Sequence, residues 1–302
     1  MFKRVLLFLA TNLLVMATIS IVMSIFGIKP YLTAHGINYE SLLVFCFLWG
    51  MIGAFISLAM SKWMAKHGMG LQMIDPNNMN AQEAELYNKV KLLAGRAGLP
   101  TMPEVGVYNA PEMNAFATGP NQRNALVAVS TGLLNSMNDA QVEAVLGHEI
   151  SHIKNGDMVT LTLIQGVVNA FAMFLSRIVA YAIAMAMNRG ENENSGPGFI
   201  YFILTIVFDI VFTLLGSIVV AAFTRWREYR ADAGGARLAG TQNMISALER
   251  LGQPAAVEAE VASKSQASIQ IMKISSHNRW LGLFATHPSI PDRVARLQQM
   301  ER

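Results

Sequence analysis

The sequence predicts a mainly α-helical integral membrane protein with four transmembrane helices and a smaller α+β domain that contains a short β-sheet. Hydrophobic residues make up 53% of the 302 residues and charged residues only 14%, against roughly 25% charged in soluble domains. The apolar residues are concentrated in a few long runs, with polar segments between and after them. This distribution favours a membrane protein over a soluble one.

Four apolar runs are each long enough to cross about 30 Å of hydrocarbon as a helix. The four runs cover approximately residues 5–27, 41–61, 159–187 and 199–223. A cleaved signal peptide is the alternative for the first run, because Lys3 and Arg4 resemble its positive start. That run is longer than a usual signal core, and no small-residue cleavage site ends it. We therefore predict four spans.

Two charged residues interrupt the second pair of spans. Arg177 lies 10 residues before the end of the third run, and Asp209 lies 10 residues after the start of the fourth. An antiparallel hairpin would place them at similar depth, and a charge in hydrocarbon is costly unless it is paired or hydrated. We predict that they interact. The alternative is a third helix that extends beyond the bilayer, with Arg177 at the surface.

The spans divide the chain into two hairpins, residues 1–61 and 158–223, and two polar segments, residues 62–157 and 224–302. Lysine and arginine are enriched in the cytoplasmic flanks of membrane proteins. Here they precede the first span and follow the second and fourth, at Lys3, Arg4, Lys62, Lys66, Arg225, Arg227 and Arg230. Both termini and both polar segments should therefore face the cytoplasm. These flanks also explain much of the net charge of +3, so no nucleic-acid partner is expected.

The first polar segment contains signals for helices and short strands. Helix periodicity covers 81–97 and ends at Gly98, whereas 104–108, 115–118 and 125–130 read as strands, with Pro111 and Gly119-Pro120 between them. Asn138 is a suitable N-cap with Gln141 at the capping-box position, which predicts a helix from Asp139 to about Lys154. The second polar segment reads as largely helical.

The predicted helix carries His148-Glu149-Ile150-Ser151-His152. Residues four apart lie on one face of a helix, so both imidazoles can reach one ion. A catalytic zinc ion takes three protein ligands and one water, whose pKa it lowers to about 7. Glu149 is placed to accept the proton of that water and later pass it to the leaving amine. The alternative is a surface helix with solvated histidines, which the apolar neighbours in this helix disfavour.

Two carboxylates follow about 80 residues later, at Glu228 and Asp232. They are again four apart on a predicted helix, so one can bind the ion while the other accepts the N–H of a ligand imidazole. The alternative is an exposed face with charge pairs to the nearby arginines. Two spans separate Glu228 from the histidines, and this even number returns the chain to the same side of the membrane.

These linked motifs resemble the membrane gluzincin metalloproteases, a family that includes the CAAX prenyl proteases and a bacterial heat-shock branch, to which the likeness is greatest. The likeness covers nearly the whole chain and includes the four-span layout. The motifs that carry it are Asn114–Gly119, His148–Asp157, Arg227–Asp232 and Thr286-His287-Pro288. Several linked motifs in one order are more specific than the five-residue motif alone.

The resemblance implies a zincin-like cytoplasmic domain with one Zn²⁺ per chain, Glu228 as the third ligand and Asp232 supporting a ligand imidazole. It also implies that one strand lines the substrate cleft and pairs with an extended peptide, as an exposed edge strand can. That strand consists of Asn114, Ala115, Phe116, Ala117 and Thr118. His287, and Arg293 beyond it, can stabilise the oxyanion of the tetrahedral intermediate. The alternative for His287 is local packing before the last helix.

The resulting hypothesis is a zinc-dependent endopeptidase of the bacterial inner membrane. The resemblance implies that its substrates are misfolded or damaged membrane proteins, within membrane quality control and the stress response. The expected partners are these substrates, the lipid bilayer and other membrane quality-control proteases. The enzymatic alternative is a CAAX-type prenyl protease. A non-catalytic zinc-binding scaffold or transporter is the alternative of another class, and Glu149 argues against it because a structural zinc site needs no base.

Overall fold

Long helices dominate the structure of the chain. A computed structural model describes residues 32–33, 36–187, 198–253 and 285–300, together with Ile21 and Ile25. The helices are α1 (Tyr39–Gly68), α2 (Ala81–Ala97), α3 (Thr131–Ser136), α4 (Asp139–Asn155), α5 (Asp157–Met187), α6 (Phe199–Ala239), α7 (Thr241–Leu251) and α8 (Ile290–Met300). The strands are β1 (Leu32–Thr33), β2 (Gly36–Ile37), β3 (Gln72–Met73), β4 (Glu104–Tyr108), β5 (Ala115–Asn121) and β6 (Asn124–Ser130). The predicted mainly helical fold with a small sheet is confirmed.

Three helices, α1, α5 and α6, are long and apolar enough to cross a membrane, with mean hydropathies of 2.3, 1.8 and 2.5 over their most apolar windows. They contain the second, third and fourth predicted spans. The first predicted span, about 5–27, lies outside the described residues. Helix α6 is longer than its predicted span, because it continues without a break to Ala239.

The described chain forms two compact units. One comprises the described residues up to Ser57 together with Leu161–Val220. Within it, Arg177 Nη1 lies 3.4 Å from Asp209 Oδ1, and the guanidinium also donates to the carbonyl oxygen of Met173 at 3.0 Å. The predicted interaction between the two charged residues is therefore confirmed.

The other unit comprises Leu58–Thr160 and the described residues from Ala221 onward. Its sheet has the strand order β3-β4-β6-β5, so β5 is an edge strand. Strands β4 and β6 pair in parallel, from Glu104 opposite Leu126 to Tyr108 opposite Ser130, whereas β3 and β5 pair antiparallel to their neighbours. Central strand β6 is buried over Ala125–Ser130, which fits its unbroken apolar sequence.

Strand β5 corrects one expectation. The sequence predicts that Gly119-Pro120 ends the strand at Thr118, but β5 continues through both residues to Asn121. Gly119 adopts φ of 140°, and a β-bulge shifts the register between Thr118 and Asn121. A proline without an N–H is tolerated because β5 is an edge strand. The turn between β5 and β6 therefore lies at Gln122 and Arg123.

Helix α4 has the limits that its capping residues predict. The Asn138 side chain accepts from the Gln141 backbone N–H, the Gln141 side chain accepts in return from the Asn138 N–H, and Gly156 ends the helix in the left-handed conformation. Leu146, Ile150 and Ile153 are fully buried in the core of this unit. Burial of each side chain of this size stabilises the folded state by about 1.5–3 kcal/mol. The packing of this apolar face therefore fixes the rotation of α4 about its axis, and with it the direction of the face that carries the two histidines.

Candidate metal centre

Two helices bring three side chains of the predicted metal site together. His148 and His152 lie one turn apart on α4, and Glu228 reaches them from α6. One ligand atom from each residue lies within 4.8 Å of the other two. His148 and Glu228 are buried, and His152 is partly buried. The residues that the sequence suggested as ligands thus converge on one point.

The distances among these atoms fit a tetrahedral ion. The two Nε2 atoms lie 3.1 Å apart, His152 Nε2 lies 3.3 Å from Glu228 Oε1, and His148 Nε2 lies 3.6 Å from Glu228 Oε2. Ligands at about 2.0–2.1 Å from a tetrahedral ion are separated by about 3.3–3.4 Å. Two imidazole nitrogens and one carboxylate form a donor set that suits zinc. The residues present therefore fit a zinc ion and leave one coordination position for a water or a substrate.

Asp232 supports the first histidine. Its Oδ1 lies 2.9 Å from His148 Nδ1, and this contact on one side of the imidazole leaves Nε2 on the side of His152 and Glu228. Arg293 on α8 holds the same carboxylate through two hydrogen bonds, of 2.7 and 2.5 Å. Burial alone would raise the pKa of Asp232, but its contacts with Arg293 and His148 lower it below the usual value. Asp232 therefore stays ionised.

A matching arrangement supports the second histidine. Asp157 Oδ2 lies 2.7 Å from His152 Nδ1, and Asp157 Oδ1 lies 3.0 Å from Nε of the buried Arg227. The sequence motifs contain both residues, but they give Asp157 no role and Arg227 none beyond that of a flanking cation. One sequence feature could have predicted that Asp157 lies near His152. Asp157 follows Gly156, and a left-handed glycine after α4 turns the chain back toward the last turn of that helix.

Glu149 lies beside the cluster and touches the sheet. Burial raises the pKa of its carboxyl above the usual range, and the charge of Glu228 adds to the rise. His148, His152 and a hydrogen bond from the backbone of Ala117 oppose it. A general base works best when its pKa lies near the operating pH, so this environment moves Glu149 toward a proton-transfer role.

His287 also reaches the cluster. Its Nδ1 lies 2.9 Å from Glu228 Oε2, and its side chain is 65% exposed. The second C-terminal candidate, Arg293, lies 3.6 Å from the same oxygen but is 10% exposed and held by Asp232. His287 is thus the more accessible of the two, whereas Arg293 is bound within the supporting network.

The predicted substrate strand lies next to Glu149 at the edge of the sheet. Ala115 to Thr118 pair with β6 on one side, and β5 is the last strand in the described order. Asn114 precedes the strand and donates its backbone N–H to Ser130 Oγ at 3.1 Å. Phe116 packs against Tyr108, with ring centroids 5.9 Å apart. The strand is therefore anchored on the β6 side.

Apolar helices of membrane-spanning length and a metal-binding cluster with an adjacent glutamate define a class, the membrane metalloproteases. Residues 80–301 match the family model described as Peptidase family M48. The chain belongs to this peptidase family, and it is a membrane metalloprotease.

Relatives of similar length support this assignment. The chain is 48% identical to the "Protease HtpX homolog" of Bacillus licheniformis over 98% of its own length and 99% of the relative. It is 50% identical to "Protease HtpX" of Acinetobacter baylyi, over 98% of both chains. Its fold is similar to the crystal structure of S. mikatae Ste24p, with a TM-score of 0.63, 19% identity, and coverage of 98% of this chain and 65% of that one.

Proposed function

We propose that this metalloprotease is a zinc-dependent endopeptidase whose ligands are His148, His152 and Glu228, with Glu149 as the general base and acid. The observation that carries the proposal is the separation of the three ligand atoms, 3.1–3.6 Å, close to the edges of a zinc tetrahedron, with Glu149 beside them. When bound, zinc polarises the scissile carbonyl and lowers the pKa of a water to about 7. A structural zinc site would close its fourth position with a protein ligand.

The chain's own residues then move one proton. Glu149 accepts it from the attacking water and returns it to the nitrogen of the leaving amine, so that no covalent intermediate with the protein forms. A raised carboxyl pKa favours the first step, because it makes Glu149 a stronger base toward the water. His287, exposed beside Glu228, donates to the oxyanion that develops on the substrate carbonyl.

An extended substrate binds by adding a strand beside β5. The outer edge of Ala115–Thr118 offers backbone groups for pairing, other than the Ala117 N–H that bonds to Glu149, while the other edge is held by β6. A hydrogen bond from Ala117 to Glu149 connects this strand to the proposed base. A peptide paired with β5 would therefore pass close to the base. Backbone pairing is tolerant of sequence, which suits unfolded substrates.

Misfolded or damaged membrane proteins are the proposed substrates, within membrane quality control and the stress response, in concert with other membrane quality-control proteases. The relatives carry the name HtpX, and the membrane-spanning helices hold the enzyme where such substrates lie. A CAAX-type prenyl protease is the second candidate in the same class. Matched prenylated and unprenylated peptides distinguish the two, because the proposed enzyme cleaves an unfolded chain without a prenyl group.

The catalytic domain is proposed to lie on the cytoplasmic face of a bacterial inner membrane and to consist of residues 62–157 and 224–302. In the sequence, these two segments follow the membrane hairpins 1–61 and 158–223, respectively. The flanking cations support this orientation. A cysteine at exposed Arg123, in a chain with Cys46→Ala, tests it. In spheroplasts, a membrane-impermeant maleimide should label this cysteine only after lysis. Labelling of intact spheroplasts would place this segment outside.

The main test compares wild type with Glu149→Gln, both purified with a chelator and then assayed with casein and an unfolded membrane protein. Wild type should cut only after zinc is restored. The variant should bind one equivalent of zinc and lose at least about 100-fold in kcat, the usual minimum for a general base. Glu143→Gln, the same change on the same helix, should stay active. Equal activity of Glu149→Gln and wild type would refute the catalytic assignment and favour a scaffold or transporter.

A further inference from the structure

A cavity of about 710 Å³ lies among α2, α4, α6 and α8. Its lining includes none of the proposed metal ligands and neither of their supporting carboxylates. Five cationic side chains line it: Arg96, Lys154, Arg230, Arg237 and Arg296. Within the described part of the chain, no aspartate or glutamate lines it. The cavity is thus a strongly basic site within the unit that also holds the metal centre.

Among the residues that the structure describes, most of these cations have no carboxylate partner. Arg96 pairs with Glu143 at 3.2 Å, whereas Lys154 and Arg237 donate to the carbonyl oxygens of Gly98 and Ala233. Among the described residues, no carboxylate lies within salt-bridge distance of Lys154 or Arg237. The same holds for Arg230 and Arg296 across the described ranges. Positive charges gathered around one cavity repel each other, and a bound anion would relieve that repulsion.

Two of the arginines are arranged for phosphate recognition. The guanidinium carbon of Arg230 lies over the Trp226 ring, 5.0 Å from its centroid, and that of Arg296 lies over the Tyr229 ring, 4.5 Å from its centroid. Contact with the ring face limits the motion of each guanidinium, whose planar N–H groups match two oxygens of one phosphate. An arginine on an aromatic ring therefore binds an anion with less loss of side-chain freedom.

The position along α6 indicates the source of that phosphate. The apolar run ends at about Phe223, and the half-exposed Trp226 follows three residues later on the same helix, about 5 Å along its axis. Tryptophan followed by arginine beyond a span is typical of the membrane–water interface, and basic pockets there bind anionic headgroups. We propose that this cavity binds the phosphate-bearing headgroup of an anionic phospholipid.

The test uses the full chain in a neutral detergent, titrated with soluble dioctanoyl phosphatidylglycerol and followed by native mass spectrometry. Wild type should bind one lipid. Arg230→Gln with Arg296→Gln should bind it about 25-fold more weakly, at about fivefold for each lost cation. The matched control, Lys91→Gln with Arg123→Gln, removes two exposed cations elsewhere and should bind as wild type does. Arg230→Lys with Arg296→Lys keeps the charge and should recover part of the affinity.

Three further probes identify the ligand class. Dioctanoyl phosphatidylcholine, which has no net charge, and inorganic phosphate, which has no glycerol or acyl part, should both bind at least about tenfold more weakly than phosphatidylglycerol. Phosphate binding as tight as lipid binding would overturn the lipid assignment, and so would displacement of the lipid by an acidic peptide at equal concentration. Equal weakening in both double variants, or in neither, would overturn the site itself. Unchanged thermal unfolding of the pocket variant excludes misfolding as the cause.

Discussion

Helices α4 and α6 approach each other closely at Gly234, and we expect this contact to set the geometry of the candidate metal centre. A Cβ atom at Gly234 would lie 2.2 Å from Ser151 Oγ and 2.6 Å from Ser151 Cβ. Ser151 precedes the proposed ligand His152, and Gly234 follows Asp232 by two residues. Two carbon atoms in contact prefer about 3.5–4.0 Å, so Gly234→Ala must move the two helices apart by about 1 Å.

This displacement should affect activity more than folding. Overpacking of a well-packed contact costs about 1–3 kcal/mol, and the gain of helix propensity from glycine to alanine offsets up to about 1 kcal/mol. A misplacement of about 1 Å in a catalytic site can cost about 100-fold in rate. Gly234→Ala should therefore fold with a loss of about 0–2 kcal/mol and lose about 100-fold in kcat/KM.

The measurements are kcat/KM on casein with zinc present and the free energy of unfolding of the same preparations. Adding Ser151→Gly to Gly234→Ala removes both clashing atoms and leaves Ser151 Cα at 3.9 Å, so activity should return to the level of Ser151→Gly alone. Gly95→Ala is the matched control, because its Cβ would meet nothing within 4 Å. Full activity in Gly234→Ala, or a double variant as inactive as Gly234→Ala beside an active Ser151→Gly, would refute the reasoning.

Three other perturbations test separate contacts. Asp157→Asn weakens the support of a ligand imidazole and should lower zinc affinity about 10–100-fold in chelator competition; unchanged affinity would contradict this role. Arg177→Asp should lower the unfolding temperature in detergent, and adding Asp209→Arg should restore it; a double variant no better than the single one would refute the pairing. Burial acts to raise the pKa of the Glu104 carboxyl, but its two lysine partners outweigh burial and lower this pKa. The ionised Glu104 therefore stabilises the fold above its unfolded pKa of about 4.3, and this stabilisation is lost as the pH falls through the lower pKa of the folded state. Glu104→Gln should therefore unfold more easily at pH 7 and match wild type in acid; a constant difference would contradict the linkage.

Local signals were sufficient for several elements. The start of α4 depends on two side chains three residues apart, Asn138 and Gln141, and α2 ends where Gly98 adopts the left-handed conformation. The spacing of His148 and His152 placed them on one face because a helical turn fixes it. Each of these features depends on residues within about one turn, so the sequence alone was enough to predict them.

Contacts between distant segments were beyond such reasoning. The partner of Asp232 is Arg293, 61 residues later, and nothing in either local sequence selects the other. Arg227 appeared to be a flanking cation because its burial against Asp157 depends on the packing of α6 against the start of α5. Strand β5 continued through Gly119-Pro120 because it lies at the edge of the sheet, a position that only the strand order reveals.

The two networks behind the histidines explain why the metal centre needs several helices. Each imidazole is oriented by an aspartate, and each aspartate contacts a buried arginine. A buried carboxylate without a cation would tend to take up a proton and lose its ability to accept from the imidazole. The arginines therefore keep both histidines in the tautomer that presents Nε2. Because these residues come from α4, α5, α6 and α8, metal affinity depends on the packing of all four helices, and metal binding should in turn stabilise this unit.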